Sequence, residues 1–446
     1  MKISISDLEK TLKTKAIGVP SNTTFNGVSI DSRTTKENNI FFAIKGDNHD
    51  GHDYIEDALK NGAKAIICDR PINNKPQFIV KNTITALGQL ASYYTSLIKP
   101  VTIGITGTNG KTTVTNLIAS ILRQCNLTLQ TYKNYNNQIG LPLSIFRAEK
   151  KTKFFVLEMG ASKNGDIQEL TNIVKPKIVA LLNVSPAHLD SFKTLENIII
   201  TKEEILDNQG YKKIVILNID DPNYQRWEAK SKNNIVKTIS QNQHADYYLQ
   251  SNTSSNLLIK TYKGDELNID NNKLEKHEIY NILFSIACSM EAGATSNNVI
   301  QGLKNARDIR GRFFKINGYN KSNIIDSTYN ANPESFKAAI CSLSKINGKK
   351  WLIMGDMGEL GKDARKYHIE IGDFAKKNKV EKIFLISKYS KEIKKNFGDG
   401  SYSFLTTSEL IEFIKPMITE DVNILIKASR FMKFEVIVDA LSIGKY

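Results

Sequence analysis

Ile105-Thr106-Gly107-Thr108-Asn109-Gly110-Lys111-Thr112-Thr113 is the stretch on which the reading of this chain turns. A short apolar run, Val101-Thr102-Ile103-Gly104-Ile105, leads into it, and Leu117, Ile118, Ile121 and Leu122 follow at helical spacing. That order describes a buried strand, a glycine-containing loop and an amphipathic helix, the repeating unit of an α/β fold. Such a loop turns backbone N–H groups and a helix N-terminus toward phosphate oxygens. A lysine neutralises their charge, and a threonine hydroxyl can hold Mg2+. The strict pattern G-x-x-x-x-G-K-[ST] wants glycine at 105; the chain has Ile105 there, and the nearest glycine is Gly104. The residues point to a nucleoside triphosphate site and leave open what the phosphate is used for.

Further short apolar runs continue the pattern on either side. Phe154-Phe155-Val156-Leu157, Ile178-Val179-Ala180-Leu181-Leu182 and Ile214-Val215-Ile216-Leu217 read as buried parallel strands. A second series, Ile324-Ile325, Trp351-Leu352-Ile353-Met354, Ile383-Phe384-Leu385-Ile386 and Ile424-Leu425-Ile426, comes later. A polar, Asn-rich stretch at about 240–275 and a helix near 277–293 separate the two series. The first eighty residues have a pattern of their own, ending where Asn82-Thr83 opens a helix. Three domains result, with joints near 82 and 311: 1–82, 83–310 and 311–446. No internal repeat is evident.

The bulk numbers fit that division. A chain of 446 residues, 41% hydrophobic and 24% charged, has the length for several domains with cores of their own. No apolar stretch reaches the eighteen residues of a membrane span. The opening MKISISDLEKTLKTK lacks the apolar run and small-residue cleavage site of a secretion signal. Cys68, Cys125, Cys288 and Cys341 lie far apart without C-x-x-C spacing, so buried reduced thiols in a cytoplasmic protein are expected. A net charge of +15 suits either a nucleic-acid binder or a protein that gathers multiply anionic small molecules. The lysines are scattered, in pairs such as Lys212-Lys213 and Lys349-Lys350, with no arginine-rich block or zinc-finger spacing. That favours a lysine-rich solvated surface and no nucleic-acid partner.

The loop Thr106–Thr113 resembles the phosphate loop of the Mur ligases and folylpolyglutamate synthases, and the resemblance runs through the chain. Asn134-Tyr135-Asn136-Asn137-Gln138-Ile139-Gly140-Leu141-Pro142 resembles a substrate-side loop of that family. Glu158-Met159-Gly160 resembles its strand-end acidic motif, and Asn183-Val184-Ser185-Pro186-Ala187-His188-Leu189-Asp190 its metal-binding histidine loop. Thr201-Lys202-Glu203-Glu204-Ile205 is similar to the segment with a carbamylated lysine. Ser29-Ile30-Asp31-Ser32-Arg33, Phe41-Phe42-Ala43-Ile44-Lys45-Gly46 and Asp50-Gly51-His52 resemble the domain that holds the UDP part of the precursor.

Later motifs distinguish members of the family. Asp326-Ser327-Thr328-Tyr329-Asn330-Ala331-Asn332-Pro333-Glu334-Ser335 is similar to the D-x-Y-N-A-N-P-x-S signature of the member that adds D-alanyl-D-alanine. Gly355-Asp356-Met357-Gly358-Glu359-Leu360-Gly361, followed by His368, is similar to that member's G-D-M-x-E-L-G…H. The D-Y-A-H-T-P and D-N-P-R patterns of the ligase adding the third residue are absent. Lys427-Ala428-Ser429-Arg430 departs from K-G-S-R at Ala428, and His277-Glu278-Ile279-Tyr280-Asn281 departs from H-N-x-x-N at Glu278.

The resemblance implies a three-domain Mur ligase architecture: a small α/β N-terminal domain, a central P-loop-type parallel-sheet domain and a Rossmann-like C-terminal domain. It implies ATP-dependent ligation of D-alanyl-D-alanine to UDP-N-acetylmuramoyl-tripeptide through an acyl phosphate, with Mg2+, by a cytoplasmic monomer. The alternatives are the ligase adding the third amino acid and a nucleotide-binding regulator without turnover. On this reading Thr108, Asn109, Gly110, Lys111, Thr112 and Thr113 hold the phosphates, and Asn281, Arg312 and Asp326 the adenine and ribose. Thr112, Glu158, His188 and Lys202 hold metal, with Lys111, His188 and Lys202 catalytic. Ser29, Asp31, Ser32, Arg33, Asn136, Asn137, Tyr329, Asn330, Asn332, Lys427, Ser429 and Arg430 bind substrate. Taken singly, Glu158 reads first as a solvated carboxylate or helix cap, His188 as a structural histidine and Lys202 as a solvated helix lysine, and Arg312 reads as well as a surface ion pair.

Overall fold

The computed structural model describes residues 2–187, 189–271, 274–307 and 309–443. Three mostly parallel sheets and a two-stranded antiparallel pair, Ile3–Ser4 with Thr24–Phe25, organise the described residues, and the chain divides into two compact units. Residues 1–182, 201–272 and 280–306 make the first unit; 183–200, 273–279 and 307–446 make the second.

The first unit opens with a five-stranded sheet in the order Ala16–Ile17, Gln77–Ile79, Ala65–Cys68, Ile40–Phe42, Val28–Ser29. Only the Ala16–Ile17 strand runs antiparallel. Phe25, Ile40, Phe42, Ile67 and Phe78 fill one face, and Leu87 and Leu90 of the helix Thr83–Ile98 close over it. That helix begins where the sequence marks it: the Asn82 side chain accepts the Thr85 amide at 2.8 Å, an N-cap.

The same unit holds a nine-stranded sheet. Its order is Glu266–Asp270, Asn256–Thr261, Tyr247–Asn252, Ile235–Ser240, Ile214–Asn218, Ile178–Leu181, Val101–Thr106, Phe154–Glu158, Thr128–Gln130. The last seven are parallel, and four of them, Val101–Thr106, Phe154–Glu158, Ile178–Leu181 and Ile214–Asn218, carry the apolar runs that the sequence shows as buried strands. The Asn-rich stretch, to which the sequence reading assigns no strands, supplies Tyr247–Asn252, Asn256–Thr261 and Glu266–Asp270, paired antiparallel at the sheet edge. Alternation of burial carries them: Leu257 and Ile259 turn inward on one strand, and Leu267 and Ile269 turn inward between polar residues on the next.

The second unit is built on six strands, Phe314–Asn317, Asn323–Asp326, Val422–Lys427, Lys349–Gly355, Lys382–Ile386 and Ser401–Ser403. All but the first are parallel. Apolar clusters cover both faces, as a sheet wrapped on two sides by helices requires. No helix among the described residues is long and apolar enough to cross a membrane. All four cysteines are free thiols; Cys68 and Cys288 are buried as expected, whereas Cys125 and Cys341 are only partly so.

Candidate active site

The phosphate loop leaves the strand Val101–Thr106, which lies inside the nine-stranded sheet between Ile178–Leu181 and Phe154–Glu158. Parallel sheets offer ligands the crevice at their carboxyl edge, and the loop opens there. Gly110 stands at φ +85° immediately before the helix Lys111–Arg123, a conformation that favours glycine. A Cβ on Gly110 would also come 2.5 Å from Oδ1 of Asn281. Asn281 therefore packs directly on the loop, carried by the helix Lys276–Glu291. Its neighbour Tyr280 donates its hydroxyl to Asp220 at 2.9 Å.

The Lys111 amine folds back onto the loop, donating to the carbonyls of Gly107 (2.9 Å) and Thr108 (3.0 Å). Thr108, Asn109, Thr112 and Thr113 stay partly exposed around it. Strand register brings the acidic residue to the same place, since Glu158 pairs with Ile105 at the carboxyl end of the adjacent strand. Only 3% of Glu158 is exposed, so it is no solvated carboxylate. Its Oε2 accepts the Thr112 hydroxyl at 2.7 Å and its Oε1 the Asn136 side-chain amide at 2.8 Å. The Gly160 backbone passes close enough to Asn136 that a Cβ there would lie 2.8 Å from Oδ1. Asn137 stays exposed and turns the chain, its Oδ1 accepting the Gly140 amide at 2.8 Å.

Lys202 is buried, with 5% of its surface exposed, so the solvated-helix alternative is overturned. Burial, with the positive charge of Lys111 beside it, pushes its amine down to about 7, against the pull of Glu158, Glu204 and Asp166. Lys111, Glu158 and Lys202 thus share one electrostatic neighbourhood. Sequence reasoning missed Asp166 and Glu204. Asp166 accepts the Ser162 and Lys163 amides (2.8 and 3.0 Å), and Glu204 those of Gly165 (2.6 Å) and Gln168 (3.0 Å). Only their proximity in space marks them. His188 lies outside the described residues.

The N-terminal candidates form a turn of their own. Ser29 and Ser32 are buried, the Ser29 hydroxyl donates to the Asp31 carbonyl at 2.9 Å, and the exposed Arg33 makes a two-pronged pair with the Asp31 carboxylate (2.9 and 2.8 Å).

In the second unit the D-S-T-Y-N-A-N-P-E-S motif is a strand end, a turn and a helix start. Asp326, 1% exposed, accepts the Thr328 amide and hydroxyl (3.0 and 2.7 Å) and the Gly311 amide (3.0 Å). Asn332 caps the helix Pro333–Ser344, accepting the Ser335 amide at 2.8 Å, and Pro333 fits the first helical position. Between them the Arg312 guanidinium stacks on the Tyr329 ring, 4.1 Å from its centroid.

Lys427 ends the strand Val422–Lys427 and is 4% exposed. It donates to the Asn330 carbonyl at 2.9 Å and the Ser327 hydroxyl at 3.2 Å. Burial and the charge of Arg312 push its amine down to about 7. Ser429 accepts the Gly358 amide at 2.8 Å and donates to the Ala331 carbonyl at 3.3 Å, so it ties the two motif loops together. Of the closing trio only Arg430 is exposed, 3.6 Å from Glu435. His368 is buried behind this surface. Its Nε2 accepts the Met357 amide at 2.8 Å, and its Nδ1 donates to the Ala364 carbonyl at 2.6 Å. Those partners require the neutral Nδ1–H form, in line with burial lowering its pKa.

Three family models match consecutive parts of the chain: "Mur ligase family, catalytic domain" over residues 24–97, "Mur ligase middle domain" over 105–289, and "Mur ligase, glutamate ligase domain" over 311–430. The chain belongs to the Mur ligase family. Within it, the chain is 31% identical to the UDP-N-acetylmuramoyl-tripeptide--D-alanyl-D-alanine ligase of Escherichia coli K12, over 99% of this chain and 98% of that one. Among solved structures it is similar to MurF from Acinetobacter baumannii, with TM-score 0.91, 26% identity and 98% of each chain covered. It is also similar to the MurF ligase of Thermotoga maritima in complex with ADP, with TM-score 0.82, 28% identity, and 93% of this chain and 96% of that one covered.

Proposed function

We propose that the protein joins D-alanyl-D-alanine to UDP-N-acetylmuramoyl-tripeptide at the expense of ATP, in the synthesis of cell-wall precursor in the cytoplasm. The observation that carries this reading is the grouping of Lys111, Thr112, Glu158 and Lys202 at the carboxyl edge of one parallel sheet. The full-length likeness to ligases of that name supplies the acceptor.

A carboxylate does not condense with an amine in water, because its charge repels the nucleophile and oxide is a poor leaving group. Transfer of the γ-phosphoryl group to the carboxylate makes an acyl phosphate; the amine then attacks and phosphate departs. Such chemistry asks the protein for positioned cations and oxygens. The loop amides and Lys111 bind the β- and γ-phosphates. Asn281 abuts the loop and orients the nucleoside, and Arg312 and Asp326 are the further residues read as adenine and ribose contacts. A hydroxyl and a carboxylate gathered at a phosphate loop are hard oxygen donors, the kind that Mg2+ prefers. Thr112 and Glu158 would hold one ion, and Lys202, with His188, a second. Mg2+ supplies charge neutralisation on the transferring phosphoryl oxygens. Lys202 serves as an anion here: burial keeps its amine neutral enough to take up CO2 as a carbamate, whose two oxygens replace a repelling ammonium. The turn Ser29–Arg33 receives the UDP part, and Asn136 and Asn137 the muramoyl side. Asn330, Asn332, Lys427, Ser429 and Arg430 shape the dipeptide side. The enzyme works as a monomer.

Phosphate release tests the reading. D-alanyl-D-alanine with the tripeptide precursor should support it, and a single amino acid with the dipeptide precursor should not. The reverse preference would move the protein to the third-residue ligases.

A further inference from the structure

Lys213 belongs to a lysine pair that looks solvated in the sequence. Lys212 is exposed, but Lys213 is completely buried. Its amine donates to the carbonyls of Ile205 (3.1 Å) and Asp207 (2.8 Å). Asn234 completes the arrangement: its side-chain amide donates to the Leu206 carbonyl at 3.0 Å, and its Oδ1 accepts the Lys213 backbone amide at 3.1 Å. Three consecutive carbonyls at the end of the segment that carries Lys202 therefore receive a side-chain donor each. A helix end in water needs none of this, because solvent satisfies its last carbonyls. A buried ammonium is a costly cap, and burial pushes this one down to about 8.

The rest of the segment is pinned as closely. Thr201 donates to Asn164, Glu203 pairs with Arg226 at 2.5 Å, Glu204 accepts the Gly165 and Gln168 amides, and Asp207 pairs with Lys230 at 3.0 Å. Every residue from 201 to 207 except Lys202 itself and the apolar Ile205 and Leu206 thus anchors through its side chain, and those two are held through their carbonyls.

We propose that Lys213, with Asn234, is a positioning residue for Lys202: the buried cation closes the carboxyl end of this segment and fixes where the Lys202 amine stands. The inference rests on the proposed role of Lys202. Its test uses the full chain, phosphate release at saturating substrates, and bicarbonate as the varied probe. A misplacement of about 1 Å in a reacting group costs up to about 100-fold. Lys213→Met is expected to lower kcat about 10- to 100-fold. The KM for ATP should stay near the parent value, while the bicarbonate needed for half-maximal rate rises. Lys212→Met, a change at the exposed neighbour, should leave all three unchanged.

An unchanged kcat in folded Lys213→Met would overturn the proposal, as would a loss that follows only the folded fraction while the bicarbonate response stays the same. If that variant does not fold, Asn234→Ala decides. A smaller shift of kcat and bicarbonate response in the same direction supports positioning, and parent values for both overturn it. If the parent protein shows neither a bicarbonate response nor a labelled carbamate carbon by NMR, the carbamate reading fails separately. The kcat-against-KM split in Lys213→Met then still judges the positioning.

Discussion

The Thr112 hydroxyl and the Glu158 carboxylate meet at 2.7 Å across 46 residues of sequence, one from the first turn of the phosphate-loop helix and one from the end of the adjacent strand. Glu158→Gln keeps the shape and removes the charge. The variant should need a higher Mg2+ concentration for half-maximal phosphate release, with kcat down about 100-fold, the scale on which lost electrostatic stabilisation is read. A magnesium titration unaltered by the change would remove Glu158 from the metal site.

Lys111 is partly exposed and packs on loop carbonyls, not in a core. Lys111→Ala should therefore abolish ligation, by about 100-fold or more, and shift the thermal midpoint little. Near-normal turnover at saturating ATP would refute the phosphate-loop assignment.

Lys202→Ala should lose most activity, and acetate or formate should restore part of it by supplying the missing anion. The same additives should do nothing for Lys111→Ala, where a cation is missing. Full activity in Lys202→Ala would leave this buried lysine a purely structural role.

Lys427 gives a stability signature with a definite sign. Its amine sits near 7 in the folded chain, against an ordinary 10.5. Between those values the unfolded chain binds a proton that the folded chain does not, so stability from this group rises with pH, by up to about 1.4 kcal/mol per pH unit. Below about 7 both states are protonated and the dependence vanishes. Lys427→Met removes the group, and thermal midpoints measured from pH 7 to 10 should rise less steeply than in the parent. Parallel curves would show that Lys427 holds an ordinary pKa.

What the sequence determined by itself was local. The loop with Gly110 and Lys111 between a strand and a helix and the helix start at Asn82 are both set by residues within a few positions of each other. The parallel strands were legible because strands buried on both faces must be continuously apolar. The motif resemblance added roles that spacing alone does not carry. Burial of polar residues was decided by the tertiary structure, since the groups that desolvate or satisfy a side chain come from distant segments. Lys212 and Lys213 are adjacent and chemically identical, yet one faces water and the other lies under the chain, among carbonyls supplied six and eight residues away. Lys202 looks like any helix lysine until the strand bearing Glu158 and the helix bearing Lys111 are folded around it. A shifted pKa is a property of that enclosure, so it becomes readable only when the enclosure exists.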